Sequence, residues 1–211
     1  MDSARIPLFP LEVVLFPAMV LPLHIFEPRY KLMISRCLEA DSEFGVVLAR
    51  GRRLASAGCT ARIERVVRKY PDGRMDIVTV GVSRFRITQT FEDEPYLEAD
   101  AEFFDDDELT GEGGREAELG TLYEECFRLL TGGRTEFTPP QPGFPASIQI
   151  TATLPLELEF KQRILESRSE AERQQWLIER LRQWLPELAQ IDRARRKAGS
   201  NGRGAVLGRP Q

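Results

Sequence analysis

Four prolines set into one apolar run constrain how this chain begins. From Ile6 to Pro22 nearly every residue is apolar, yet Pro7, Pro10, Pro17 and Pro22 recur too closely for a helix, because each lacks an amide donor and clashes with the preceding turn. The segment is therefore expected to be extended, as short buried strands interrupted at edges or bulges, where a missing N–H costs no ladder bond. Leu8, Phe9, Val14, Phe16, Met19 and Leu21 are expected in a barrel core, although alternation leaves some of them facing outwards. At Phe26-Glu27-Pro28 the period changes. Tyr30, Met33, Ile34, Cys37 and Leu38 then fall on one helical stripe, with Pro28 suited to the first turn.

Further along, EFGVVLA (43–49) reads as a buried strand, and 59–69 and 74–82 as a hairpin turning at Pro71-Asp72-Gly73. RFRITQTF (84–91) and YLEADAEFF (96–104) alternate in the same way and predict two further strands. The acidic stretch 105–114 has no periodic apolar face and is expected to be a solvated domain boundary. Helical spacing predicts one helix over about 115–131, stopping at Gly132-Gly133. Thr138 to Gly143 is read as a rigid loop, followed by short helices over 146–153 and through Phe160, Ile164 and Leu165. Ser169 and Glu172 have the capping-box spacing before a last helix carrying Leu177, Leu181, Trp184 and Leu188, in which Pro186 predicts a kink or restart.

The string PLFPLEVVLFPAMVLPLHIFEPRYKLMISRCL resembles the opening of the Lon substrate-binding domain, the amino-terminal domain of Lon proteases. GCTARIERVVRKYPDGRMDIVTVGVSRFRI resembles that family's following hairpin, and LPLELEFKQRILE its carboxy-terminal helical signature. The resemblance implies an α+β fold: a PUA-like antiparallel β-barrel (pseudo-barrel) followed by a C-terminal helical bundle. The expected division is a barrel over 1–106 with one helix near 28–39, a helical subdomain over 107–191, and a disordered basic tail over 192–211. The implied role is binding polypeptide rather than cutting it.

Composition narrows the chemistry. A net charge of −4 argues only weakly against nucleic acid as a partner. No basic n-region and cleavage site opens the chain, and prolines break its apolar run, so neither a signal peptide nor a membrane helix is expected. Cys37, Cys59 and Cys126 suit reduced thiols in a bacterial cytoplasm better than a disulfide framework. His24 is the only histidine and no CxxC or HExxH spacing occurs, so no metal and no cofactor is expected. His24 is read as a packed or hydrogen-bonded structural residue rather than a catalytic base. The GxxxxGK[ST] phosphate loop is absent from the sequence. Lys161 lies beside no nucleophile turn, so the Ser–Lys dyad and ATPase of Lon proteases are not expected in this chain.

Four residues stand out as contacts for a substrate or partner: Glu27, Arg29, Trp176 and Trp184. Glu27 and Arg29 have a plain reading as a helix cap and a buried or semi-buried ion pair, and a functional one as part of a peptide-contacting groove. The two tryptophans fit core packing between helices or an exposed patch for a partner. Two classes of function then compete. One is a non-catalytic module that binds exposed apolar segments of unfolded or extended polypeptides, in association with a protease or chaperone. The other is a PUA-like RNA-binding protein using Arg50, Arg52 and Arg53, or Arg62, Arg65, Arg68 and Lys69, or the cluster Arg193 to Lys197. Those clusters read equally as solvated faces.

Overall fold

A computed structural model describes residues 3–51, 53–107, 115–133 and 144–201, the side chains of 198–201 excepted. In chain order the elements are β1 (Ser3–Leu11), β2 (Val20–Ile25), α1 (Pro28–Ala40), β3 (Phe44–Arg50), β4 (Arg53–Lys69), β5 (Met75–Phe91) and β6 (Glu98–Phe103). The helices α2 (Glu116–Thr131), α3 (Ala146–Thr153), α4 (Leu158–Glu166) and α5 (Glu170–Asn201) follow. Two compact units result: Met1–Thr110 with Thr151–Glu170, and Gly111–Ile150 with Ala171–Gln211. Residues 151–170, expected among the later helices, thus group with the strands.

In the first unit the strands run β2-β5-β4-β3-β1-β6, and β6 returns to pair with β5, so that five strands close a barrel. All pairings are antiparallel except β1 with β3. β1 accommodates its prolines by changing partners midway. Residues 3–7 pair with β6 and residues 8–11 with β3, so each half is hydrogen-bonded along one side and a missing N–H can face the other. The stretch 84–91, read as a strand of its own, is instead the second half of β5. That long strand pairs with β2 over 75–80 and with β6 over 85–91.

Glycine lets the backbone close up inside the unit. The carbonyl of Phe16, in the loop after β1, lies 2.1 Å from where a Cβ on Gly81 would sit. Ala18 N donates to Gly81 O, and Gly81 N to Met19 O. Phe85 is fully buried, and its ring tip comes within 2.7 Å of a Cβ position on both Gly45 and Gly58. Around it Ile6, Leu8, Val47, Ala99 and Ala101 form one core cluster. A second cluster joins the buried stripe of α1 (Tyr30, Met33, Ile34, Cys37) to Phe9, Phe44, Ile25 and Ile77. Pro28 occupies the first turn of α1, as its spacing predicts.

The short helix α4 is fastened to the strands by polar side chains. Gln162 donates to the carbonyl of Ala57, next to an irregularity in the β3–β4 register. Beyond α4, the guanidinium of Arg84 holds the Leu165 and Ser167 carbonyls and Asp106. Arg168 binds Asp107. The start of the acidic stretch, expected to be solvated, is therefore anchored by arginines; residues 108–114 lie outside the described residues.

In the second unit α2 buries Leu119, Tyr123, Cys126 and Leu129 and ends at Gly132, whose φ of 63° lies in the left-handed region. α5 buries Leu177, Ile178, Leu181 and Leu188. Arg173, fully buried, donates to Ser147 Oγ at 2.9 Å. Pro186 lies inside α5 without the restart its spacing predicts. An interior proline costs a helix about 3 kcal/mol, and buried Leu181 and Leu188 on either side offset it. Residues 192–201, expected in a disordered tail, are the last turns of α5. The proline-rich loop expected over 138–143 and residues 202–211 lie outside the described residues.

Candidate functional site

Cross-strand register assembles a surface on the first unit. In β5 the side chains of Met75, Ile77 and Thr79 face inwards, and those of Asp76, Val78 and Val80 outwards. Directly opposed residues share a face, so three outward rows form across β2, β5 and β4. The rows are Val20, Val80 and Arg62; Pro22, Val78 and Arg65; and His24, Asp76 and Arg68. Two columns are apolar at one end and polar at the other, and the third is a line of arginines. Val20, Phe26 and Val67 are 57%, 58% and 60% exposed, high values for such large apolar residues.

The polar end is a small network. His24 Nδ1 meets Asp76 Oδ1 at 2.5 Å, and Tyr70 donates its hydroxyl to Asp76 Oδ2 at 2.8 Å. The Phe26 ring lies stacked at 6.0 Å from the imidazole, and Arg68 sits over the Tyr70 ring. These hydrogen bonds, first from His24 and then from Tyr70, hold the Asp76 carboxyl below its usual range. His24 is thus hydrogen-bonded, as expected, but at the surface rather than packed.

β2 pairs with β5 alone. Because Gly81 N donates to Met19 O, the alternating ladder bonds fall next on Leu21 and Leu23. Pro22 therefore faces the open edge and leaves it one donor short, a common way to blunt edge-to-edge pairing.

Glu27 and Arg29 are hydrogen-bonded to each other at 2.9 Å beside this surface. Glu27 stands at the N-cap of α1, but its carboxylate makes no capping bond and is taken by Arg29; only its carbonyl receives Tyr30 N and Lys31 N. Arg29 is exposed and Glu27 half-buried, so the pair is not a buried one, and Arg29 lies over the Tyr30 ring. Arg29 also borders a cavity of about 380 Å³ with Pro10, Tyr30 and Tyr96. Trp176 and Trp184 belong to the second unit. Both are half-buried, and Arg180 lies 5.9 Å from the Trp184 ring. Sequence reading missed the valine rows of β5; the signal present was apolar residues at both parities of MDIVTVGV. Among the described residues no three His, Cys, Asp or Glu side chains gather as metal ligands, and no helix is long and apolar enough to cross a membrane.

Solved Lon N-terminal domains share this fold. The Lon N-terminal domain protein of Xanthomonas campestris superposes with a TM-score of 0.62 at 25% identity, over 83% of this chain and 97% of that one. The N-terminal domain of Mycobacterium avium complex Lon protease gives 0.58 at 19% identity, over 84% and 98%. The chain belongs to the ATP-dependent protease La (LON) substrate-binding domain family, whose model matches residues 5–183. Lon protease 2 of Herpetosiphon aurantiacus is 28% identical over 185 residues, 78% of this chain and 22% of the protease. The Lon protease of Syntrophus aciditrophicus is 28% identical over 182 residues, 77% of this chain and 23% of the protease. The chain thus spans less than a quarter of the length of these relatives, and the family it matches is a substrate-binding domain rather than a catalytic one.

Proposed function

We propose that this chain is a non-catalytic polypeptide-recognition module whose outward β2-β5-β4 face binds exposed apolar segments of unfolded or extended proteins in the cytoplasm. The observation that carries the reading is the exposure of Val20, Phe26 and Val67 around the Val78 and Val80 rows. An extended segment laid over this face would set alternate apolar side chains against the valines, while the arginine column contacts its carbonyls or acidic residues. The blunted edge at Pro22 argues for recognition across the face rather than by strand addition. The family's description as the substrate-binding domain of an ATP-dependent protease supports polypeptides bound for degradation as the ligands. Burying a valine or phenylalanine side chain contributes roughly 1.5–3 kcal/mol before ordering costs, so affinities in the micromolar range are expected.

The test is fluorescence anisotropy with a labelled extended peptide rich in Leu, Val and Phe. Saturable binding that survives high salt and weakens about fivefold or more in Phe26→Ser or Val20→Ser is expected. Absence of saturable binding would overturn the reading. The line of Arg62, Arg65 and Arg68 beside Tyr70 keeps RNA as the rival. Steeply salt-dependent binding of single-stranded RNA with none of peptide would put that rival first.

A further inference from the structure

The outward β2-β5-β4 face is asymmetric. Its β2 and β5 columns carry Val20, Pro22, Val80 and Val78, whereas β4 carries Arg62, Arg65 and Arg68. Residues three apart in a regular strand point to opposite faces. Here the register slips between Ile63 and Arg65 and again between Val66 and Arg68. Each slip inserts one residue, and the three arginines are thereby brought onto one face. Residues 62–69 pair with β5 on one side; among the described residues no strand pairs with the other, because β3 reaches only to Ala61. The arginines therefore line an open margin of the sheet, next to the valines.

The three guanidiniums are not equally committed. Arg62 is bonded to Glu64 at 3.0 Å, and Arg68 lies over the Tyr70 ring. Asp76, in the row of Arg68, has its oxygens taken by His24 and Tyr70. Arg65, in the middle row opposite Val78, is exposed and meets no carboxylate among the described residues. An unmatched positive charge thus stands beside the centre of the apolar rows.

Bases of a nucleic acid need free ring faces to stack on; Val78 and Val80 offer none, and the Tyr70 ring already carries Arg68. A purely apolar segment would leave Arg65 unused. An apolar segment with acidic residues next to it uses both halves of the face. The net charge of −4 opposes such a ligand overall, so a preference for it has to come from this local column. Resting on the polypeptide-binding reading above, we infer that the face selects apolar segments flanked by acidic residues. The apolar side chains lie over Val78 and Val80, and a carboxylate of the flank pairs with Arg65.

The experiment compares three labelled peptides with one apolar core, flanked by aspartates, serines or lysines, by anisotropy on the full chain. Exposed ion pairs are weak singly, so the aspartate peptide is expected to bind about fivefold more tightly than the lysine peptide, with the serine peptide between them. The difference should shrink in about 1 M salt, where the screening length is about 3 Å, while binding itself persists. Arg65→Glu, on an exposed side chain, should reverse the order, and Arg65→Lys should keep it. Equal binding of the three peptides, or an order unchanged by Arg65→Glu, would overturn the acidic selection while leaving polypeptide binding in place. Failure of all three to bind would overturn both.

Discussion

The nearly buried guanidinium of Arg84 donates through Nη2 to Asp106 Oδ1 at 2.5 Å while its Nη1 serves the Ser167 carbonyl at 2.7 Å and that of Leu165 at 3.3 Å. One side chain of β5 thereby satisfies the end of α4 and holds the exit of the strand region. Removing it takes one buried donor away from two carbonyls and a carboxylate. Since Asp106 is partly solvated, Arg84→Met is expected to cost about 3 kcal/mol, the low end for breaking a buried pair. Asp106→Asn should cost about 1 kcal/mol. Urea unfolding of both variants checks the order; equal losses would contradict it.

Gly81 faces the carbonyl of Phe16 at a distance no Cβ tolerates. Gly81→Ala must therefore push away the loop after β1, which itself bonds to Gly81 through Ala18 and Met19. A loss of about 2 kcal/mol or more is expected, in line with forced overpacking. Gly120→Ala, where a Cβ meets nothing within 4 Å, serves as the control and should be neutral or stabilising in thermal denaturation.

All three cysteines are free and buried. Burial pushes the Cys59 and Cys126 thiols up to about 12, and raises that of Cys37. The thiolate is the reactive form, so the native chain should resist a disulfide reagent at pH 8. Three equivalents should react once urea has unfolded it; rapid labelling of the native chain would refute the prediction.

The His24–Asp76–Tyr70 network predicts an acid-side effect. Asp76 titrates below its ordinary value because His24, then Tyr70, bonds to its ionised form. A folded carboxyl with a depressed value contributes stability above the unfolded pKa, about 3.9. That contribution is lost as the pH falls through the lower folded value. His24→Ala should move the Asp76 carboxyl upwards in an NMR titration, with a correspondingly smaller acid-side loss of stability. An unmoved carboxyl would show that Tyr70 alone sustains the shift.

Much of the fold was legible in residue order. The prolines of 6–22 forced extended chain, the stripe from Tyr30 to Cys37 gave α1, and Pro71-Asp72-Gly73 marked the β4–β5 turn. Strand identity beyond that was not. The pattern of 84–91 is the same whether it forms a new strand or prolongs β5, because alternation reports which face is buried and not which neighbour is paired. Of the kink or restart that Pro186 predicts, the restart does not occur, since a local penalty says nothing of the tertiary burial that offsets it. The candidate site was still less visible. Val20, Val78 and Arg65 become neighbours only through register, and Gln162 meets Ala57 from far along the chain. Glu27 and Arg29 were found as a pair, but their exposure depends on what surrounds α1.

The partner change within β1 also fixes an order of events. Its first half waits for β6, which lies at the far end of the strand region, while its second half needs only β3. On a ribosome, the β1–β3 pairing, the helix between them and the hairpin that follows can assemble early. The opening half, Ser3 to Pro7, with Ile6 as its buried residue, stays unpaired until β6 emerges. Every strand before β6 is therefore made while that half of β1 is still without its partner, which comes only with Glu98–Phe103.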